Sequence, residues 1–127
     1  MGTVQKLFEL RPDDISYATT PDNKRVRARV KLMRDGCPAE VHAEADDPIS
    51  AVNAAIDKAL NRYFDWSGTL VYQDVVRYGR GSTYAYTRLY VSKRGIQGIS
   101  SNPDAIKALA LSYIAAINEV IGISTPA

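Results

Sequence analysis

Between Lys24 and Leu32 polar and apolar residues alternate without a break. Val26, Ala28, Val30 and Leu32 fall on one face, and Arg25, Arg27, Arg29 and Lys31 on the other. A period of two marks a half-buried β-strand. Asp35-Gly36 follows, a pair that tolerates the positive φ angles of a tight hairpin. The segment Ala39 to Ala45 predicts the partner strand, with Val41, Ala43 and Ala45 inward and Glu40, His42 and Glu44 outward. Two carboxylates therefore face the arginine ladder across the hairpin, where opposite charges stabilise by a few tenths of a kcal/mol per pair. An earlier strand around Leu7 to Ala18, interrupted at Pro12, completes a three-stranded sheet.

The period then changes. Asp47 suits a helix N-cap and Pro48 the first helical position, where no amide hydrogen is needed. Ile49, Val52, Ile56, Ala59, Leu60 and Tyr63 recur at helical spacing as one apolar stripe. Asp65 to Gly68 is the linker, separating a first pseudo-repeat of about residues 6–64 from a second of about 69–122. In the second, Thr69 to Tyr78 and Thr83 to Lys93 read as strands, the latter with Ala85, Thr87, Leu89 and Val91 on one face. Gly95 is expected to turn the chain into a short strand, Ile96 to Ser100, and Asn102-Pro103 to repeat the cap-plus-proline of Asp47-Pro48. Ile106, Leu109, Tyr113, Ile117 and Val120 form a second helical stripe. The pattern predicts an α+β domain, a duplicated βββα unit with two small, mainly antiparallel sheets packed with two helices.

The second helix adds Leu111, Ile114 and Ile121 outside its stripe. A helix apolar over so much of its circumference is covered on more than one side, by the other half or by a second subunit. Leu111 and Ile114 are thus candidate interface residues of a homodimer.

Composition narrows the function classes. The 127 residues, 46% apolar and 24% charged with a net charge of +2, describe one globular domain with no strong electrostatic bias. Met1 to Lys6 has no apolar signal core, and no run approaches the roughly 20 apolar residues of a membrane span; a cytoplasmic location is expected. A single cysteine and a single histidine leave no material for a disulfide or a metal cluster. His42 alternates onto an outward face, Cys37 lies beside a turn without a supporting histidine, and no nucleophile elbow or P-loop occurs. Gly79-Arg80-Gly81 lacks the following helix that would cradle a phosphate, and it reads as a turn. No enzymatic activity, metal or cofactor is expected.

The order of these signals resembles the C-terminal regulatory domain of the 2-isopropylmalate synthase and citramalate synthase family, over about Phe8 to Ile121. In the first half the resemblance rests on Val30-Lys31-Leu32, Asp35-Gly36 and Asp47-Pro48-Ile49-Ser50-Ala51-Val52-Asn53-Ala54. In the second half it rests on Gly98-Ile99-Ser100-Ser101-Asn102, Ala105-Ile106-Lys107-Ala108 and Tyr113-Ile114-Ala115-Ala116-Ile117-Asn118. The resemblance implies a domain that dimerises and binds the end product of leucine or isoleucine biosynthesis, so inhibiting a separate catalytic barrel. It implies as partners a branched-chain amino acid and a synthase-type catalytic domain. Gly81, Ser82, Thr83, Ala85, Gly98, Ser100 and Asn102 are its ligand-binding candidates. The sequence departs from the family where Ser82 stands at an acidic position, where Ala45-Asp46-Asp47-Pro48 replaces a glycine-containing run, and where Pro103-Asp104 is a two-residue insertion. The bland alternative is that the polar residues among them cap helices and close turns.

One feature has no counterpart in that family. Tyr84, Tyr86 and Tyr90, with Arg88 among them, alternate onto the face opposite Ala85 and Leu89. Such a face suits a solvated sheet surface, a protein interface, where Tyr and Arg are enriched, or single-stranded nucleic acid; the near-neutral net charge by itself argues neither for nor against the last. The expected functions are therefore a regulatory and dimerisation domain, a stand-alone interaction module with a vacated ligand site, and, third, a single-strand binder.

Overall fold

The computed structural model describes residues 7–63, 70–77, 83–91 and 94–124. It is an α+β fold with two antiparallel sheets and two helices; the first sheet has four strands rather than the three expected, because the broken N-terminal segment supplies two, and the second has three. The chain divides into two compact units, Leu10–Gly68 and Thr69–Ala127, the latter joined by Met1–Glu9. Residues 65–68, expected as a linker, lie outside the described residues, as do Gly79, Arg80, Gly81 and Ser82.

The strand expected around residues 7–18 is cut as Pro12 requires. A two-residue strand β1 (Phe8–Glu9) is followed by a turn of 3-10 helix (Pro12–Asp14) and then by β2 (Ile15–Thr19). β2 pairs antiparallel with β3 (Val26–Arg34), and β3 with β4 (Cys37–Ala45). The β3–β4 hairpin closes through Asp35 and Gly36 at φ 53° and 76°, the two positive values of a type I′ turn. Ala28, Val30 and Leu32 of β3 are fully buried, while Arg27, Arg29 and Lys31 are exposed. Over the buried face lies α1 (Pro48–Leu60), capped as expected: the Ser50 amide donates to Asp47 Oδ1 at 2.9 Å and its hydroxyl to Oδ2 at 2.8 Å. Its buried stripe is Ala51, Val52, Ala55, Ile56, Ala59 and Leu60. Ile49 is only half-buried and Tyr63 lies past the helix, exposed, with the Arg34 guanidinium 4.9 Å above its ring. The alanines, not Ile49 and Tyr63, let α1 approach the sheet closely.

In the second unit, β5 (Leu70–Arg77), β6 (Thr83–Val91) and β7 (Arg94–Asn102) form a sheet in that order. The third strand is longer than the short one expected, and Gly95 belongs to it, opposite Tyr90, rather than to a turn. α2 (Ala105–Ser124) packs chiefly on β7 and β6. Its cap also differs from the expectation. Asn102 ends the strand, and Asp104 caps the helix, accepting from the amides of Ile106 (2.8 Å) and Lys107 (3.2 Å). The two-residue insertion moves the cap downstream, so Pro103 precedes it instead of occupying the first turn. β1 belongs to this unit: the Phe8 amide donates to Asn118 Oδ1 and Asn118 Nδ2 donates to the Phe8 carbonyl, both at 2.9 Å.

Gly98 of β7 shows why the second unit closes. A Cβ placed there would meet the backbone of α2, Ala116 N at 2.2 Å and Ser112 O at 2.4 Å. Gly36, by contrast, has nothing within 4 Å of such an atom and is required only by its φ.

Replacing each of these glycines by alanine therefore fails for a different reason. Gly36→Ala is expected to cost about 1–2 kcal/mol, the penalty for a left-handed conformation. Gly98→Ala must push the helix off the sheet and is expected to cost more, about 3 kcal/mol or above. Urea unfolding of both variants checks the order. A second expectation concerns Asp47, whose carboxyl is held below the ordinary carboxylate range by the Ser50 amide and then by its hydroxyl. A depressed folded-state pKa contributes stability above the unfolded pKa of about 4 that is lost as pH falls through the lower folded value. Asp47→Ala should thus cost about 1 kcal/mol at pH 7, and the difference from the parent should shrink below about pH 4.

Candidate functional site

The ligand-binding candidates cluster on the inner face of the second sheet. Thr83 pairs with Asn102, Ala85 with Ser100 and Thr87 with Gly98, on alternate rungs of the β6–β7 ladder. Thr83 and Ala85 are buried, and Ser100 and Asn102 half-buried. Several of their polar groups are already engaged in holding the unit together. Asn102 Oδ1 accepts from the Asp104 amide at 2.9 Å. The first amides of α2, which could otherwise hold an anion, receive the chain's own carboxylate from Asp104. Gly98 faces the α2 backbone and not an open slot. Gly81 and Ser82 lie outside the described residues.

Between these rungs and the helix runs a buried polar chain that alternation alone does not reveal. Gln73 Nε2 donates to Thr87 Oγ1 at 3.0 Å, the Thr87 and Ser112 hydroxyls share a 2.7 Å bond, and Ser112 Oγ donates to the Leu109 carbonyl at 2.7 Å. Thr87 and Ser112 are fully buried. Satisfied polar groups at such positions fix one packing register, since any slip would strand them.

The opposite face of the same sheet is different. Tyr84, Tyr86, Arg88 and Tyr90 of β6 point away from α2, as the alternation predicts. Tyr72, Asp74 and Val76 join them from β5, and Gln97, Ile99 and Ser101 from β7. Ile99 is 62% exposed and Tyr72 53%, with Val76, Tyr84 and Tyr90 also exposed. So many large apolar side chains on one face form a contiguous patch of the kind that marks interaction sites. The neighbours from β5 and β7 escaped the sequence reading, although the parity that placed Tyr84 would have placed them once the ladder register was known.

Within this face the rings of Tyr72 and Tyr86 meet diagonally, with centroids 6.2 Å apart and planes tilted by 34°. Desolvation, followed by the charges of Tyr72 and Asp74, raises the Tyr86 hydroxyl above its ordinary value. Arg88 Nη2 donates to Gln97 Oε1 at 3.0 Å, and its bond to the Tyr90 hydroxyl raises its pKa further. Such a surface can offer ring faces, hydroxyl donors and one fixed cation.

The arginine ladder of the first unit has another fate. Arg27 places Nε and Nη2 on Glu44 Oε2 at 3.3 and 3.0 Å, Arg29 reaches Glu40 at 2.9 Å, and Arg25 approaches Asp46 at 3.9 Å. His42 is exposed opposite Arg29, and its carbonyl accepts from Lys58. The outer face of that sheet therefore spends its cations on its own carboxylates. Of the interface candidates on α2, Ile114 is buried within this chain and Leu111 half-buried. Ile114 thus offers no surface to a second subunit, and the packing inside one chain accounts for its apolar character. Cys37 is exposed, and among the described residues no three acidic, histidine or cysteine side chains gather as a metal site. No helix of the described residues is long and apolar enough to cross a membrane. Comparison of the sequence with protein-family models and with curated proteins returns no match.

Proposed function

We propose that this chain is a non-catalytic interaction module whose working surface is the outer face of the β5–β6–β7 sheet. The observation that carries this reading is the contiguous exposure of Tyr72, Val76, Tyr84, Tyr90 and Ile99 on one side of a sheet whose other side is closed by α2. Burying such residues stabilises a complex at about 25 cal/mol per Å² of apolar surface, and tyrosines combine large area with hydroxyls that remain hydrogen-bonded.

A second reading has its own support. Each unit carries three consecutive antiparallel strands and then a helix (β2 to β4 with α1, β5 to β7 with α2), the plan expected of the regulatory domains of 2-isopropylmalate synthases, and the ladder sets Thr83 beside Asn102 and Ala85 beside Ser100 near the start of α2. A branched-chain amino acid bound there would bias a partner catalytic domain through linkage, in a cytoplasmic enzyme of leucine biosynthesis.

The two readings separate by experiment. The variant Ile99→Arg with Tyr84→Ala should keep the parent's circular dichroism and unfolding midpoint to within about 1 kcal/mol, yet lose the parent's associations in cross-linking with mass analysis. An unchanged set of associations would remove the interaction reading. For the sensor reading, leucine, isoleucine or valine at about 100 times its dissociation constant should stabilise the fold by about 2.7 kcal/mol, seen as a rise in Tm. No rise with any of the three at millimolar concentration rejects it.

A further inference from the structure

Four residues at the centre of the tyrosine face form a square. On β5 stand Tyr72 and Asp74; opposite them on β6 stand Arg88 and Tyr86, because Tyr72 pairs with Arg88 and Asp74 with Tyr86. One diagonal is aromatic, Tyr72 to Tyr86, and its rings touch at 6.2 Å. The other is ionic, Asp74 to Arg88. From this geometry we infer that the occupant of the face is a second copy of this chain, stacked sheet to sheet about a two-fold axis along the aromatic diagonal. The inference rests on the interaction reading above and names its partner.

The reasoning is one of symmetry and charge. In a two-fold interface each patch meets itself, so residue i contacts j while j contacts i. A rotation about the Tyr72–Tyr86 diagonal returns each tyrosine to its own counterpart and carries Asp74 onto the position of Arg88. Both copies then oppose Asp74 to Arg88, and two ion pairs flank an aromatic centre. With strands about 4.8 Å apart and same-face neighbours about 6.8 Å apart, the two sets of strands cross at ~70°, close to the orthogonal mode of sheet packing. Asp74 and Arg88 are the charged residues on this face among those described, so the face is neutral. A polyanion gains nothing from such a surface, because its phosphates would meet Asp74 as well as Arg88. Val76, Tyr84 and Ile99 beside the square supply an apolar border. Each face measures about 14 by 26 Å, and two of them crossed at ~70° overlap over roughly 200 Å² per copy, below the standard size of specific interfaces, so the dimer is weak and is expected to dissociate on dilution.

Sedimentation equilibrium from micromolar to millimolar concentration tests this. The parent should pass from monomer to dimer. Arg88→Asp alone sets Asp against Asp and should be monomeric, and Asp74→Arg alone sets Arg against Arg and should be monomeric too. An equimolar mixture of these two single variants should form a one-to-one heterodimer, because every contact is again a pair of opposite charges. The double exchange, Asp74→Arg with Arg88→Asp, should dimerise like the parent. Circular dichroism of each variant establishes folding before its mass is read. A parent that stays monomeric throughout, or a dimer that survives both single reversals, overturns the inference. In either case, loss of a different partner on Ile99→Arg with Tyr84→Ala would leave the interaction reading standing, whereas unchanged associations would remove both.

Discussion

The close seating of α2 on Gly98 is the constraint on which the second unit depends. A helix lying within a glycine's reach of a strand leaves no room for a side chain between the two backbones. That approach brings Ser112 to hydrogen-bond distance of Thr87, and Thr87 to Gln73. Around that approach the inner face is filled by helix backbone, a satisfied polar chain and the buried side chains of Ala85, Leu89 and Ile96. Bulky residues are then found on the opposite side of the same strands, where Tyr84, Tyr86 and Tyr90 stand. The two faces of β6 thus differ in chemistry: Ala85, Thr87 and Leu89 are buried under α2, and the tyrosines and Arg88 stand on the other side.

The outer faces of the two sheets are chemically distinct despite the shared plan. On β3 and β4 the polar positions carry opposite charges in register, and Arg27–Glu44 and Arg29–Glu40 consume them. Exposed pairs of this kind contribute up to about 1 kcal/mol and are screened by salt; their effect is to hold the hairpin register and keep the surface hydrated. On β5, β6 and β7 the same positions carry rings and aliphatic groups with one cation and one anion. Water solvates the first surface well and the second poorly. The outer faces are therefore where the two sheets differ most in how they meet water.

Much of the architecture was legible because period and turn chemistry are local. Strand parity placed Ala28, Val30 and Leu32 inside, Asp35-Gly36 marked its hairpin, and Asp47 marked its helix. Failures came where a decision depended on partners distant in sequence. Gly95 looks like a turn residue until the ladder assigns it to Tyr90. Asn102 looks like a cap until the helix is seen to begin after Asp104, whose carboxylate takes the first amides. Gly98 looks like part of a ligand loop, since one-dimensional reading cannot distinguish a glycine that admits a ligand from one that admits a helix. The tyrosines of β6 were visible from alternation, but their companions Tyr72 and Ile99 needed the register of three strands.

The reciprocal bonds between Phe8 and Asn118 have a consequence for how the molecule assembles. An asparagine amide presents the same donor and acceptor as a peptide group, so Asn118 serves β1 as a neighbouring strand would. The two residues are separated by 110 positions, and the unit they complete contains the whole of the first unit as an insertion in its sequence. Its last contact cannot form until nearly all of the chain has been made. Loop closure over such a distance grows only logarithmically in cost, but it raises the contact order and slows the search. During synthesis the first helix and its sheet can form before α2 emerges, and the Phe8–Asn118 bonds must follow. The order of folding is thus written into the threading of the chain: the segment translated early gains its asparagine partner among the last contacts made.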